Sequence, residues 1–302
     1  RTGVVGIGSM GKNHVRVLKK LSNLVGISDI DKKQGKKLAE TFGTIFYEDY
    51  LDLFSEVDAV VIAVPTQFHM EIALSAIERG IHVLVEKPLA DSVENATKIV
   101  KYADKHNVTL AVGHIERHNP VVSHAKDKIL QSSWGEVLTL SSRRVSSYPE
   151  RIRDVGVVYD LAVHDLDILS FLSGSRIESV FSLGGHHKNA IFEDHCSILI
   201  NFENSLIGQC EVNWLTPMKV RSLNIVTETC FVNLDYINQE VETFKSEYID
   251  IQEGNLYSSE LSIQSHKAQI EKGEPLVFEL IDFLESTLHR REPLVSGRDG
   301  LN

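Results

Sequence analysis

The stretch Gly3-Val4-Val5-Gly6-Ile7-Gly8-Ser9-Met10-Gly11 decides how the first part of the chain is read. A short β-branched run leads into a G-x-G-x-x-G spacing, and an amphipathic segment from Lys12 to Leu21 follows, so the motif stands between a strand and a helix. In that setting the glycines serve different ends. Gly6 permits a tight turn, Gly8 lets a pyrophosphate approach the backbone, and Gly11 lets helix and strand pack closely. Ser9 and Met10 open the helix, where N–H groups and the helix dipole favour an anion. Asp29 closes the next apolar run, eighteen positions after Gly11, near the spacing of about 20 at which an acid takes a dinucleotide's ribose hydroxyls. A carboxylate there repels a 2′-phosphate, so the residues point to NAD rather than NADP, with Asp31 a lesser candidate for the same contact.

Further along, short continuous apolar runs alternate with helical patterns. The runs are Gly3 to Ile7, Leu24 to Ser28, Ala59 to Val64, His82 to Val85 and Thr109 to Val112; the helical stretches are Lys12 to Leu21, Lys33 to Phe42, Met70 to Arg79 and Ser92 to Lys105. Runs without alternation indicate strands buried on both faces, as a parallel sheet with crossover helices requires. Residues 1–119 are therefore expected to form a doubly wound Rossmann domain of the α/β class.

After Asn119-Pro120 the pattern changes. A helix to Leu130 precedes strands of mixed polarity over Glu136 to Arg143, His195 to Phe202, Leu206 to Trp214 and Ser222 to Glu228, with helices over Val158 to Leu172 and Val277 to His289. Such strands suit a large, mostly antiparallel sheet with one open face, so residues 120–302 are expected to form an α+β domain for substrate binding and oligomerisation.

Composition narrows the class. The chain has 302 residues, a hydrophobic fraction of 42% and a formal charge of -11, which suits a globular protein and opposes binding to a nucleic-acid backbone. The three cysteines, Cys196, Cys210 and Cys230, show no metal-binding spacing and no disulfide framework, so no metal site is expected. No apolar run nears the roughly 18 residues of a membrane span, and no signal peptide opens the chain; a cytoplasmic enzyme without membrane contact is the expectation.

Three further clusters carry chemistry. Val64-Pro65-Thr66 with His69 follows the third run, Glu86-Lys87-Pro88 follows the fourth, and Asp160-Leu161-Ala162-Val163-His164 lies in a helical segment. A hydride leaves a carbinol carbon only as the hydroxyl proton is removed, and histidine suits that base. Asp160 and His164 are four apart, hence on one helix face, where the carboxylate can orient the imidazole. Lys87 stands at the carboxyl end of a parallel strand, where doubly wound sheets place ligands, and its ammonium can stabilise a developing alkoxide.

In this order the motifs resemble the Gfo/Idh/MocA family of oxidoreductases, from Gly3 to about Arg298. The resemblance implies that Glu86-Lys87-Pro88 borders the nicotinamide, that Lys87, Asp160 and His164 are catalytic, and that Pro65, Thr66 and Glu86 lie on the cofactor side; His69 either contacts the nicotinamide side or simply starts the helix that follows. The stretches Val155 to Leu172 and Asn213 to Pro217 look like the branch that oxidises the 3-hydroxyl of nucleotide-activated amino sugars, although His118 stands where such relatives commonly have Phe. For that substrate Arg117, Lys219 and Arg221 could neutralise a diphosphate, Trp214 could stack on a sugar or base, and Asn119 lies in the same crevice-facing segment as Arg117. A free cyclic polyol or sugar is the next candidate, and an NAD-binding sensor without turnover a third. An open sheet face also implies a homo-oligomer, dimer or tetramer.

Overall fold

The computed structural model describes residues 1–149, 155–188, 191–250 and 259–302. They divide into two compact units, Arg1–His118 with Gly273–Asn302, and Asn119–Lys272.

The first unit is built on six parallel strands, β1 (Thr2–Val5), β2 (Leu24–Ser28), β3 (Ile45–Tyr47), β4 (Ala59–Ile62), β5 (His82–Glu86) and β6 (Leu110–Gly113), in the order β3-β2-β1-β4-β5-β6. The order reverses between β1 and β4, which makes their carboxyl ends the ligand crevice of a doubly wound sheet. Helices α1 (Ser9–Leu21), α2 (Lys32–Phe42), α3 (Tyr50–Phe54), α4 (His69–Ile77) and α5 (Val93–His106) join the strands. The continuous apolar runs are explained by two cores, one on each face. Val4, Val61 and Leu84 point towards α1, whereas their neighbours Val5, Val60, Ile62, Val83 and Val85 meet α4 and α5.

The second unit carries an eight-stranded sheet. Its strands are β7 (Val137–Ser147), β8 (Ile177–Gly185), β9 (His195–Phe202), β10 (Ile207–Asn213), β11 (Leu215–Thr227), β12 (Phe231–Asp235), β13 (Glu240–Asp250) and β14 (Ser259–Lys267), ordered β14-β13-β12-β11-β7-β10-β9-β8. Every pairing is antiparallel except β10 with β7. The inward residues Leu140, Ile198, Ile200, Cys210, Val212, Leu223 and Ile225 form a core with Val121 and Val122 of α6 (Pro120–Leu130) and Ile168, Leu169 and Leu172 of α7 (Val163–Ser173). On β9 the other residues, Ser197, Leu199 and Asn201, face solvent, so the sheet is open on that side.

Two expectations need correction. The last 30 residues belong to the first unit, not to a continuous second domain. Their helices are α8 (Pro275–His289) and α9 (Gly297–Leu301). Leu276, Leu280 and Phe283 of α8 join the core that Val15 and Leu18 of α1 line. Burying each such side chain is worth about 1.5–3 kcal/mol, enough to fasten the segment there. The helix expected over Val158 to Leu172 begins instead with a wide π turn, Val158–Ala162, before α7. The Glu193 carboxylate accepts the Val158 N–H at 3.1 Å at its entry.

Candidate active site

The loop between β1 and α1 is shaped by its glycines. Gly6 has φ +86°, and a Cβ on it would lie 2.6 Å from the Ala63 carbonyl group; a Cβ on Gly11 would lie 1.9 Å from the Gly6 oxygen. Neither position admits a side chain. Gly8 differs: a Cβ there would meet nothing within 4 Å, so its missing side chain leaves open space rather than relieving a clash. Gly8 is also the N-cap of α1 and supplies no side-chain cap, so the first N–H groups, from Ser9 and Met10 onward, remain to be satisfied by a ligand or solvent. Uncapped N–H groups at an open helix start fit the pyrophosphate of a dinucleotide.

Asp29 ends β2 beside this loop. Its carboxylate accepts the Ile7 N–H at 2.7 Å and the Asp31 N–H at 2.8 Å, so it fixes the loop as well as offering its remaining lone pairs outward. Asp31 accepts the Gln34 N–H at 2.9 Å and is the N-cap of α2, which commits it to the helix. Gln34 reaches back to the Ile7 carbonyl at 3.2 Å and takes a hydrogen bond from Lys12 at 3.0 Å; no local sequence pattern points to this pair.

Pro65 and Thr66 open a short 3-10 turn after β4, with Thr66 partly exposed. His69 is 1% exposed, and its ring nitrogens stand 2.9 Å from the carbonyls of Val64 and Pro88. One imidazole thus ties the loop carrying Thr66 to the loop carrying Lys87. Glu86 lies against His14 of α1 at 2.7 Å, and its second oxygen accepts the Lys87 backbone N–H at 3.2 Å. Burial pushes the Glu86 carboxyl up, but the hydrogen bond and charge of His14 and the charge of Lys87 outweigh it and hold Glu86 below the usual range. His14 was legible only indirectly: Gly11, His14, Val15 and Leu18 form the buried stripe of α1, and a polar member of such a stripe needs a partner.

Asp160 lies in the π turn and His164 in the first turn of α7, both partly exposed in the second unit, whereas Lys87 belongs to the first. Beside His164, Asp165 is fully buried and paired with Arg144 of β7 at 2.7 Å. Arg144 also lies over the Tyr236 ring, 5.7 Å from its centroid.

The expected substrate contacts separate. Trp214 is 1% exposed and packs edge-on against Tyr148, so it belongs to the core and offers no stacking surface. Asn119 is buried, caps α6 through the Val121 N–H and donates to the Tyr236 carbonyl at 3.2 Å. Arg117 is buried and paired with Asp299 at 3.0 Å, which ties it to α9. Of these five, Lys219 and Arg221, on β11, retain accessible surface. The expected strand began at Ser222, just after both, whereas β11 starts at Leu215, and the burial of the other three depends on neighbours distant in sequence.

The parallel sheet with its switch-point crevice, uncapped glycine loop and Asp29 defines a dinucleotide-binding Rossmann unit. Residues 1–114 match the Gfo/Idh/MocA model described as an oxidoreductase family with an NAD-binding Rossmann fold, and residues 122–231 match a Gfo/Idh/MocA C-terminal domain. The chain belongs to the Gfo/Idh/MocA family and is an NAD-dependent dehydrogenase. It is 24% identical to UDP-N-acetylglucosamine 3-dehydrogenase of Acidithiobacillus ferrooxidans, across 99% of this chain and 92% of the relative. The crystal structure of that protein superposes with a TM-score of 0.89, covering 100% of this chain and 93% of the other. Inositol 2-dehydrogenase of Corynebacterium glutamicum is 29% identical over 70% of this chain and 66% of the relative. Levoglucosan dehydrogenase in complex with NADH, 19% identical, shares the fold with a TM-score of 0.83 over 99% of this chain and 92% of its own. Among the described residues no helix is long and apolar enough to cross a membrane, and no cluster of side chains could hold a metal ion.

Proposed function

We propose that this dehydrogenase oxidises the 3-hydroxyl of a nucleotide-activated amino sugar such as UDP-N-acetylglucosamine. The observation that carries the reading is the extent of the likeness to the UDP-N-acetylglucosamine enzyme, 99% of this chain against 70% for the inositol enzyme. Bound NAD supplies a hydride acceptor at the nicotinamide. The chain's own groups do the rest: the Lys87 ammonium donates to the reacting hydroxyl oxygen and stabilises it as it becomes an alkoxide, while His164 takes the proton and Asp160 orients the imidazole. Pro65 and Thr66 border the cofactor, and Glu86 and His69 hold the strand ends from which Thr66 and Lys87 extend. The diphosphate contact is assigned to Lys219 and Arg221, which keep accessible surface on β11, since Arg117 is buried in an ion pair with Asp299.

The test is NADH formation followed by absorbance, with product removed, on UDP-N-acetylglucosamine and on myo-inositol in parallel. Turnover of the nucleotide sugar supports the reading; turnover of inositol alone replaces it with the polyol reading, which the 29% identity to the inositol enzyme favours. Tight NAD binding without turnover of any sugar would make the protein a sensor, although a sensor has no use for Lys87, Asp160 and His164 together.

We also propose that the chain forms a homo-oligomer through the open side of its second sheet. On that side the edge strand β8 exposes Phe181 and Leu183 by 61 and 69%, and Leu199 of β9 continues the patch across from Phe181. Exposed apolar edges of this kind are covered in soluble proteins. Light scattering that returned the mass of one chain would overturn this. The three buried free thiols suit the reducing, cytoplasmic setting that the reading assumes.

A further inference from the structure

The turn that carries Asp160 is held by a residue that the chemistry above does not use. Val157 N–H donates to the Glu193 carbonyl at 2.9 Å, and Val158 N–H donates to Glu193 Oε1 at 3.1 Å. The first N–H groups of a helical segment have no partner within it, so one residue, 35 positions beyond Val158, caps this segment twice. The same carboxylate rests on Gly156. A Cβ there would lie 2.1 Å from Glu193 Oε1, 2.2 Å from Cδ and 2.3 Å from Oε2, while Gly156 is not among the glycines of positive φ. Glycine is therefore required by the seat of the carboxylate rather than by backbone conformation. The Gly156 carbonyl in turn accepts the Asp160 N–H at 3.1 Å, so contact runs without a break from Glu193 through Gly156 to Asp160.

Glu193 itself has little freedom. The next residue, Asp194, is 0% exposed; its N–H donates to the Gly185 carbonyl at 3.0 Å, its carbonyl accepts the Trp214 N–H at 2.9 Å, and its carboxylate accepts the His187 N–H at 2.8 Å. The chain is thus fixed to the end of β8 and to Trp214 immediately after Glu193 reaches out to the turn.

The shape of the turn bears on the reaction. Across Val158–Ala162 the closing bond runs from the Val163 N–H to the Val158 carbonyl, five residues back, one more than in an α-helix. In an α-helix residues four apart are offset by about 40° around the axis, because four steps of about 100° overshoot one turn. A wider turn takes less rotation per residue, which reduces that offset and brings Asp160, inside the turn, more nearly into line with His164, just after it in α7. Without an acceptor on Glu193, the Val158 N–H would seek a carbonyl nearer in the chain and the turn could tighten to α-helical bonding.

We propose that Glu193 is a positioning residue for the Asp160–His164 pair: by capping Val157 and Val158 over Gly156 it keeps the turn wide, and so keeps the Asp160 carboxylate placed to orient the imidazole. This rests on the reading of Asp160 and His164 as catalytic groups. Glutamine is the informative substitute, since its amide oxygen accepts the Val158 N–H as the carboxylate does, whereas methionine fills much the same volume and offers only a weakly accepting sulfur.

The experiment uses the full chain as wild type, Glu193→Gln, Glu193→Met, Glu193→Ala, Gly156→Ala and the double variant Gly156→Ala with Glu193→Ala, with His164→Ala as the reference. On the sugar that wild type turns over, Glu193→Met should lose about tenfold in kcat, the scale of one hydrogen bond, with KM and NAD affinity within about twofold. Glu193→Gln should stay within about twofold of wild type in all three. Gly156→Ala should lose kcat as Glu193→Met does, because its methyl group displaces the carboxylate, but should lower kcat no further in Glu193→Ala, where nothing is left to displace. Hydrogen exchange at the Val158 N–H should be faster in Glu193→Met than in wild type or Glu193→Gln. Should Glu193→Met not fold, Gly156→Ala supplies the same comparison with the carboxylate still present. A folded Glu193→Met with full kcat, a Glu193→Gln as slow as Glu193→Met, or additive losses at positions 156 and 193 would each overturn the inference. Near-normal kcat in His164→Ala, or no sugar turned over by wild type, counts against the catalytic reading instead. The Val158 exchange rate then still decides whether Glu193 holds the turn.

Discussion

Gly8→Ala separates what glycine does for the folded loop from what it does for the cofactor. A Cβ at position 8 meets no atom within 4 Å, and the φ of -65° is one that alanine adopts readily. The folded chain should therefore tolerate the change, with a stability loss of about 1 kcal/mol or less for alanine at an N-cap. Binding should not tolerate it. The methyl group would stand in the space through which a pyrophosphate approaches the uncapped start of α1, and pushing the anion out of reach costs charge-assisted hydrogen bonds worth about 1.5 kcal/mol each at the low end. Losing two of them is about 3 kcal/mol, or roughly a 150-fold rise in the Kd for NAD. Gly11→Ala is the contrasting control: its Cβ would lie 1.9 Å from the Gly6 oxygen, backbone against side chain, so the helix or the strand must shift and Tm should fall together with affinity. Calorimetric titration with NAD and thermal unfolding of the same samples measure both quantities. Wild-type NAD affinity in Gly8→Ala would refute the placement of the pyrophosphate on this loop.

Asp29→Ala should narrow the preference for NAD over NADP and also lower Tm, because the Ile7 and Asp31 N–H groups lose their acceptor; an unchanged cofactor ratio would assign ribose recognition to another group. Lys87→Ala and His164→Ala should each lower turnover by about 10²-fold or more, the scale of a lost acid-base group, with NAD affinity retained, and near-normal kcat in either would remove that residue from the mechanism. Arg144→Met strands the Asp165 carboxylate, 1% exposed, without its 2.7 Å partner, and should destabilise the second unit by about 3–5 kcal/mol. Recovery of Tm in the double variant Arg144→Met with Asp165→Leu would confirm the unpaired charge as the cause, and equal Tm values for all three proteins would exclude it.

The glycine loop and Asp29 were legible because each depends on local spacing, a glycine needed at a turn and an acid at the end of the next strand, and Lys87, Asp160 and His164 are proposed on spacing of the same kind. The parallel sheet was legible for the same reason, since strands covered on both faces must be apolar throughout. The short strand Ile45–Tyr47 and the strands β8 and β12 to β14 were not, because edge and open-faced strands carry mixed residues whose order has no strong period. What tertiary structure alone decided was the use of residues whose partners lie far along the chain. Arg117 answers to Asp299, Trp214 to Tyr148, His14 to Glu86, and the helix from Pro275 returns to the first unit to bury Leu280 and Phe283 beside α1. Local pattern fixes which face of an element is apolar, but the partner it meets depends on how the whole chain closes, and that closure turned an expected diphosphate contact into an internal ion pair and an expected stacking ring into core.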